Sequence, residues 1–440
     1  MFKTLQNAFK IKEIRTKLFF TFLMLIVIRL GSQLPVPGVN RDLFSSFIQS
    51  HFGDNFDFLS AFTGGSFEKM SLFALNITPY ITSSIIMQLL TIAIPKLEEM
   101  QKEGEDGRKK IAAITRYVTV GLALIESTAM AIGFRNQNMM TESGVLGIIT
   151  VIVALTAGSA FLMWIGEQIT ENGVGNGISV VLTINIISRI PQDFASLYEQ
   201  FMKGKSFATA ALAAIIIAAV VVGTVVLTVI LGGGERRIPV QYAKKVQGRK
   251  IVGGQSSHIP LKVNTGGVIP IIFASSLMQL PIVISSFFKS QSSGVAGGWQ
   301  SFLRMLNSGN WFKTATPIDS IGVLIYIVLV VFFAYFYTSI TFNPIEISEN
   351  MKKQGGFVPG IRPGKPTSEY LSRILNYVIF IGAIGLIIVA LIPIIFNGLF
   401  GASVSFGGTS LIIIVGVILE TMKQIESMML VRNYKGFLND

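Results

Sequence analysis

Gly360-Ile-Arg362-Pro-Gly364-Lys365-Pro366 sets a lysine behind two glycines, the composition of a loop that cradles phosphate. Its spacing is one residue short, and Pro366 stands where a Ser or Thr would hold magnesium. Gly173-Val-Gly175-Asn-Gly177 has the glycine rhythm of a dinucleotide loop. No strand precedes it, so it reads as a turn between two helices. The two histidines, His51 and His258, fall in polar connecting stretches, and the chain has no cysteine. A metal site does not follow from these residues, and disulfides are excluded. Two acids, Glu126 and Glu420, fall within apolar stretches, where a carboxylate marks a proton or ion route by default. A proton-coupled transporter would carry more, and Glu126 reads better as a single buried carboxyl satisfied by neighbouring helices. The expectation is a protein with no catalytic residues, no metal, no cofactor and no energy source of its own.

The elements that position these residues are membrane helices. Hydrophobic residues make up 51% of the 440, and charged residues only 14%, against about 25% in a soluble domain. The deficit lies in long apolar blocks with the charges collected between them. Stretches of about 20 apolar residues span a bilayer, and ten candidates occur: 18–35, 71–94, 115–134, 145–166, 177–195, 208–231, 267–288, 318–342, 371–396 and 408–428. The second is interrupted by Asn76 and Pro79, and the fifth holds Asn185 and is closed by Arg189-Ile-Pro191. A basic amphipathic stretch, 1–17, precedes the first span, which lacks a small-residue cleavage site and is expected to remain as a helix. With ten spans and a cytoplasmic N-terminus, 26 of the 36 lysines and arginines fall inside, as the positive-inside rule demands. Both termini are then cytoplasmic. Two long inner loops, 232–266 and 343–370, are basic and glycine-rich, and loops of this length in a compact protein are functional or disordered. The outer segment 36–70 holds a short helix-like piece, 56–62, ended by Gly64-Gly65.

The second and seventh spans repeat one pattern. Pro79-x-Ile81-x-x-Ser84-x-x-Met87-Gln88-Leu89 matches Pro270-x-Ile272-x-x-Ser275-x-x-Met278-Gln279-Leu280 at six positions. A shift of five spans reverses direction through the membrane, so 18–200 and 201–440 read as inverted repeats. Such folds place their working path between the halves.

Asn76-Ile-Thr-Pro79-Tyr80-Ile81-Thr-Ser-Ser-Ile-Ile-Met-Gln88 closely resembles the second span of the SecY family of bacterial protein-conducting channels. So do Lys102-Glu-Gly104-Glu-Asp-Gly107-Arg108, Gly166-Glu167-Gln168-Ile-Thr170 with Gly175-Asn-Gly177-Ile-Ser179, Arg236-Arg237-Ile-Pro-Val-Gln-Tyr242-Ala-Lys244, the 360–364 loop and Gly407-Gly408-Thr409-Ser410. The resemblance runs in order along nearly the whole chain. It implies an all-α, ten-helix clamshell around an hourglass pore, in the cytoplasmic membrane of a bacterium. By matched position the pore ring would be Ile77, Ile81, Leu182, Ile186, Ile272 and Ile413, with Leu182 departing from the isoleucine of some relatives. A plug at about 55–70 would include Phe58, Leu59, Phe62, Gly64 and Gly65. A lateral gate, between spans two and three and spans seven and eight, would include Gln88 and Ser276. The basic loops, with Arg236, Arg237, Lys244 and Arg362, would dock the SecA ATPase or a ribosome, and SecE and SecG would be small membrane partners. Preprotein signal sequences and lipid would meet at the gate.

An apolar constriction dewets and blocks ions. It also offers a passing chain no specific hydrogen bond, and isoleucine is stiff at χ1. A secondary transporter of a small solute, also built from inverted repeats, stays open as a competing reading, as does a scaffold for the basic loops. Sparse intramembrane charge weighs against the first, and the apolar collar against the second.

Overall fold

The computed structural model describes residues 2–51, 63–142, 144–242, 245–247, 250–252, 256–287, 298–307, 310–312, 317–400 and 409–436. A helix occupies each of the ten expected spans. In order they are Lys12–Gly31, Thr78–Ala93, Glu105–Asn136, Val145–Asn172, Gly177–Phe201, Phe207–Gly233, Ile269–Phe287, Ile321–Thr341, Lys365–Phe400 and Thr409–Gly436. Among the described residues, the third, fourth, sixth, eighth and ninth are long and apolar enough to cross a membrane unaided. The second reaches that standard only with the short helix after it, which turns away by 104°. Pro95 at the start of that short helix accounts for the break. Its ring disfavours helical geometry in the residue before it, and Ile94 is extended.

Several boundaries differ from the sequence reading, among them two helix starts. The second span starts at Thr78 rather than 71, with turns over 64–77 before it. The third starts at Glu105, ten residues early. Its first turns carry Glu105, Asp106, Arg108, Lys109 and Lys110, all exposed. Charged turns lengthen a helix into water as readily as apolar turns carry it through lipid. Glu126 is half-buried in the same helix. The segment after the first span also holds a helix, Arg41–His51, that the sequence reading did not separate. The piece at 56–62 lies outside the described residues.

Helix neighbours follow the internal repeat. In the first half, spans pack as 1 with 4, 1 with 5, 2 with 3, 3 with 4 and 4 with 5. Adding five to every number gives the pairs of the second half: 6 with 9, 6 with 10, 7 with 8, 8 with 9 and 9 with 10. The halves meet where 2 packs on 7 and 5 packs on 10, the partners that the shift exchanges, and where 3 also touches 7. The main hydrophobic core lies along this meeting surface.

The two long loops are joined. Strands β1 (Glu235–Tyr242), β2 (Lys245–Gln247), β3 (Lys250–Val252) and β4 (Ser256–Lys262) come from the first loop, and β5 (Gly356–Phe357) from the second. A three-stranded sheet runs β4-β1-β5, and β2 and β3 form a separate pair. β1 pairs antiparallel with β4 from Glu235↔Lys262 to Gln241↔Ser256, and with β5 only at Gln241↔Phe357 and Tyr242↔Gly356. Pro239 sits on the stretch of β1 that β5 leaves unpaired, so its missing N–H costs the sheet nothing there. Ile238, Val240 and Leu261 pack with Met351, Val358, Leu371 and Leu375 in a small core of their own.

Candidate functional site

The second and seventh spans begin alike, each with its proline as second residue: Thr78-Pro79 and Ile269-Pro270. Proline suits the first turn because the N–H it lacks has no helical partner there. Just before the second span, Asn76 takes a left-handed backbone, φ 53°, which asparagine tolerates better than most residues. Its carbonyl accepts a 3.1 Å hydrogen bond from Ser159 Oγ of the fourth span. Its side-chain oxygen accepts one of 3.0 Å from Asn185 Nδ2 of the fifth. This buried amide pair fixes where the helix starts, and therefore which way Ile77 and Ile81 face.

All six ring positions fall in one buried apolar cluster. Ile77, Leu182, Ile186 and Ile413 are 1% exposed or less, Ile272 is 4% and Ile81 is 5%. They come from the second, fifth, seventh and tenth spans, the four helices at which the halves meet. Leu182 and Ile186 lie one turn apart, so they share a helix face. The fifth span is started by Asn176, whose side chain accepts from the N–H groups of Ile178 and Ser179. Gly177 packs on the Gly166 carbonyl, with no room for a side chain, and donates its N–H to Thr170 Oγ1 at 2.9 Å. The 173–177 glycines thus form the turn that the sequence reading expected. They also tie the halves together, since Gly175 N–H donates to Gln424 Oε1 of the tenth span at 2.7 Å.

Of the expected plug residues, Phe58, Leu59 and Phe62 lie outside the described residues. Gly64 and Gly65 both have left-handed backbones, at φ 62° and 76°. A Cβ on Gly64 would stand 2.8 Å from the Asn185 carbonyl oxygen, so this glycine lets the segment lie directly on the fifth span beside Ile186. The stretch after it is firmly held. Arg189 pairs with Glu68 at 3.0 Å. Arg41 donates to the carbonyls of Lys69, at 2.9 Å, and Gln33, at 3.0 Å. Phe67, Met70 and Phe73 are buried. Composition and spacing mark none of Arg41, Glu68 or Arg189 for this role. Arg189, a charge closing the fifth span, was the one available signal.

At the expected gate, the seventh span packs against the second and third. Gln88 is half-buried, and its Nε2 lies 3.4 Å from Ser84 Oγ in its own helix. Ser276 is buried. Among the described residues no hydrogen bond joins Gln88 to Ser276. Gln88 Oε1 and its repeat counterpart, Gln279 Nε2, are buried without partners.

Of the expected docking residues, Arg236 and Arg237 stand exposed on β1. Arg237 bonds Glu235 through Nε at 2.6 Å, and that contact holds the Glu235 carboxyl below its usual range. Lys244 lies outside the described residues. Arg362 is exposed at the tip of a turn bounded by Gly360 and Gly364, both at positive φ. Thr367 Oγ1 donates to the Arg362 carbonyl at 2.8 Å, and Ser348 Oγ to the Gly364 carbonyl at 2.7 Å. The backbone is pinned while the guanidinium is presented to solvent.

The family model described as SecY matches residues 71–422. The chain belongs to the SecY family. It is 43% identical over 448 residues to the protein translocase subunit SecY of Bacillus subtilis, and 42% identical over 445 residues to that of Halalkalibacterium halodurans. All of both chains is covered in each case. Its fold is similar to a structure described as that of a protein conducting channel, with TM-score 0.62 and 16% identity over 94% of this chain and 92% of that one. It is also similar to Sec61 in the canine ribosome-channel complex, with TM-score 0.59 and 17% identity over the same shares. SecY relatives thus match from end to end, and the multi-pass helical architecture read from the sequence is theirs.

Proposed function

We propose that this chain is the pore-forming subunit of the general secretory translocase in a bacterial cytoplasmic membrane. It passes unfolded preproteins across the bilayer and releases hydrophobic segments sideways into lipid. One observation carries the reading: six apolar side chains from the four helices at the junction of two inverted halves gather in one buried cluster. Such a waist is dry when closed and indifferent to the sequence of a chain sliding through. The relatives, named as translocase subunits, support the same reading. They lend no support to a small-solute transporter, and none of them is named as an enzyme.

In this reading the plug is the segment at about 55–70, Gly64 and Gly65 included, and the lateral gate is the contact of the second and third spans with the seventh and eighth. The β-sheet and Arg362 face the cytoplasm with both termini. Its basic surface suits an acidic protein face or ribosomal RNA phosphate, so SecA and the ribosome are the partners assigned to it. SecE and SecG complete the membrane complex. The test is reconstitution. Liposomes holding the chain with these partners, SecA and ATP should import a signal-bearing preprotein into a protease-protected state. Uptake of a small solute with no polypeptide requirement would overturn the reading.

A further inference from the structure

Between the seventh and eighth spans, at the end of the bundle away from the β-sheet, lies a nine-residue amphipathic helix, Gly298–Leu306. Its place is set by contacts at both ends. Trp299 Nε1 lies 3.4 Å from Ser285 Oγ in the last turn of the seventh span. Arg304 pairs with Asp319 at 3.2 Å, just before the eighth span. Gly322, second residue of that span, lies so close beneath the Met305 carbonyl that no side chain would fit. Trp311, almost wholly buried, donates its indole N–H to the same carbonyl at 2.7 Å.

These contacts fix the helix's depth. The eighth span, Ile321–Thr341, has 21 residues, which at 1.5 Å each make about 31 Å. That equals the hydrocarbon thickness of a bilayer, about 30 Å, so Gly322 marks the edge of the hydrocarbon. The seventh span ends two residues beyond Ser285. Gly298–Leu306 therefore bridges two helix ends at the level where acyl chains meet headgroups.

Its faces fit that level. Leu306 points inward and is buried, whereas Trp299 is 59% and Phe302 39% exposed. Their rings touch, with centroids 5.7 Å apart. Ile318, Ile321, Leu324 and Val328 are also exposed and continue the apolar surface down the eighth span. On a membrane helix such a surface faces lipid. Tryptophan is enriched at this boundary because an apolar ring and a polar N–H find suitable surroundings there together.

We propose that Gly298–Leu306 is an interfacial helix, seating Trp299 and Phe302 in the headgroup–acyl boundary of the leaflet opposite the β-sheet and holding the ends of the seventh and eighth spans at one depth. The occupant of its apolar face is lipid. The chain has no cysteine, so a nitroxide can be placed by Phe302→Cys alone, in the full chain in nanodiscs of phosphatidylethanolamine and phosphatidylglycerol. Oxygen should relax this label more than a water-soluble nickel chelate does, at a depth shallower than a Leu324→Cys control. Faster relaxation by nickel would place the helix in water, and access by neither would mean protein covers it; each overturns the proposal. Trp299→Phe supplies a second reading that keeps the ring. The emission lost in this variant should be quenched more by lipids brominated near the carbonyl end than by lipids brominated deeper. No quenching, or stronger quenching by the deeper bromines, would also overturn the proposal.

Discussion

Asn76 and Asn185 show how much of the proposed waist depends on single polar atoms. They stand 109 residues apart and meet through one amide hydrogen bond. Removing Asn185 takes this bond from a buried amide, at about 1–3 kcal/mol. Asn185→Ala should therefore lower thermal stability of the full chain in detergent by about that amount; an unchanged melting temperature would count against the pair's importance. The Arg189–Glu68 pair, with side chains 12% and 40% exposed, should contribute less. A double-mutant cycle with Arg189→Ala and Glu68→Ala is expected to give a coupling of about 0.5–1 kcal/mol. The ring follows a different logic. Ile→Val at one position should cost about 0.5–1.5 kcal/mol and keep the seal. Ile81, Ile186, Ile272 and Ile413 replaced together by Ser should wet the constriction. Ion conductance measured across planar bilayers should then rise above the closed baseline in the second case only. The sequence showed Ile81 and Ile272 as a pair because the prolines before them repeat. It could not show Asn76 meeting Asn185, since polar residues in separate helices carry no mark of which partner they face.

Elements were legible where one period governs them. The apolar runs located all ten spans, but the start of the second at Thr78 depended on Asn76 and its cross-helix bonds. The sheet has a signature of its own: Ile238 with Val240, and Ile259 with Leu261, alternate at the spacing of a strand with one covered face. Basic composition and glycine, the marks of a loop, overlie that alternation. The pairing of β1 with β5 brings together segments more than a hundred residues apart, which no local pattern announces. Ile238 is 1% exposed, so Ile238→Ala should cost the sheet about 2–5 kcal/mol. Hydrogen exchange should then accelerate across both β1 and β5; acceleration confined to the first loop would mean that the two loops are not one unit. Arg362→Glu tests the surface above it. The exposed guanidinium contributes little to folding, so melting should stay within about 0.5 kcal/mol of the parent. SecA-driven import should fall at least tenfold, the equivalent of about 1.4 kcal/mol. Normal import by this variant would remove Arg362 from the docking role.

For the molecule as a whole, the repeat is the organising fact, visible in six matched residues and then in the helix neighbours within each half. A stalled secretory chain should crosslink to photoreactive side chains placed at Ile81 and at Ile272 alike, because the proposed ring sets both on the same passage. Crosslinking at neither would place the passage elsewhere. The repeat does not extend to the bonding at the two edges where the halves touch. Where spans five and ten meet, the Gly175 N–H and Gln424 stitch one half to the other. On spans two and seven, by contrast, Gln88 Oε1 and Gln279 Nε2 have no protein partner. In the proposed reading the clamshell is thus bound like a book, sewn along one side, with the other side as the edge that would part.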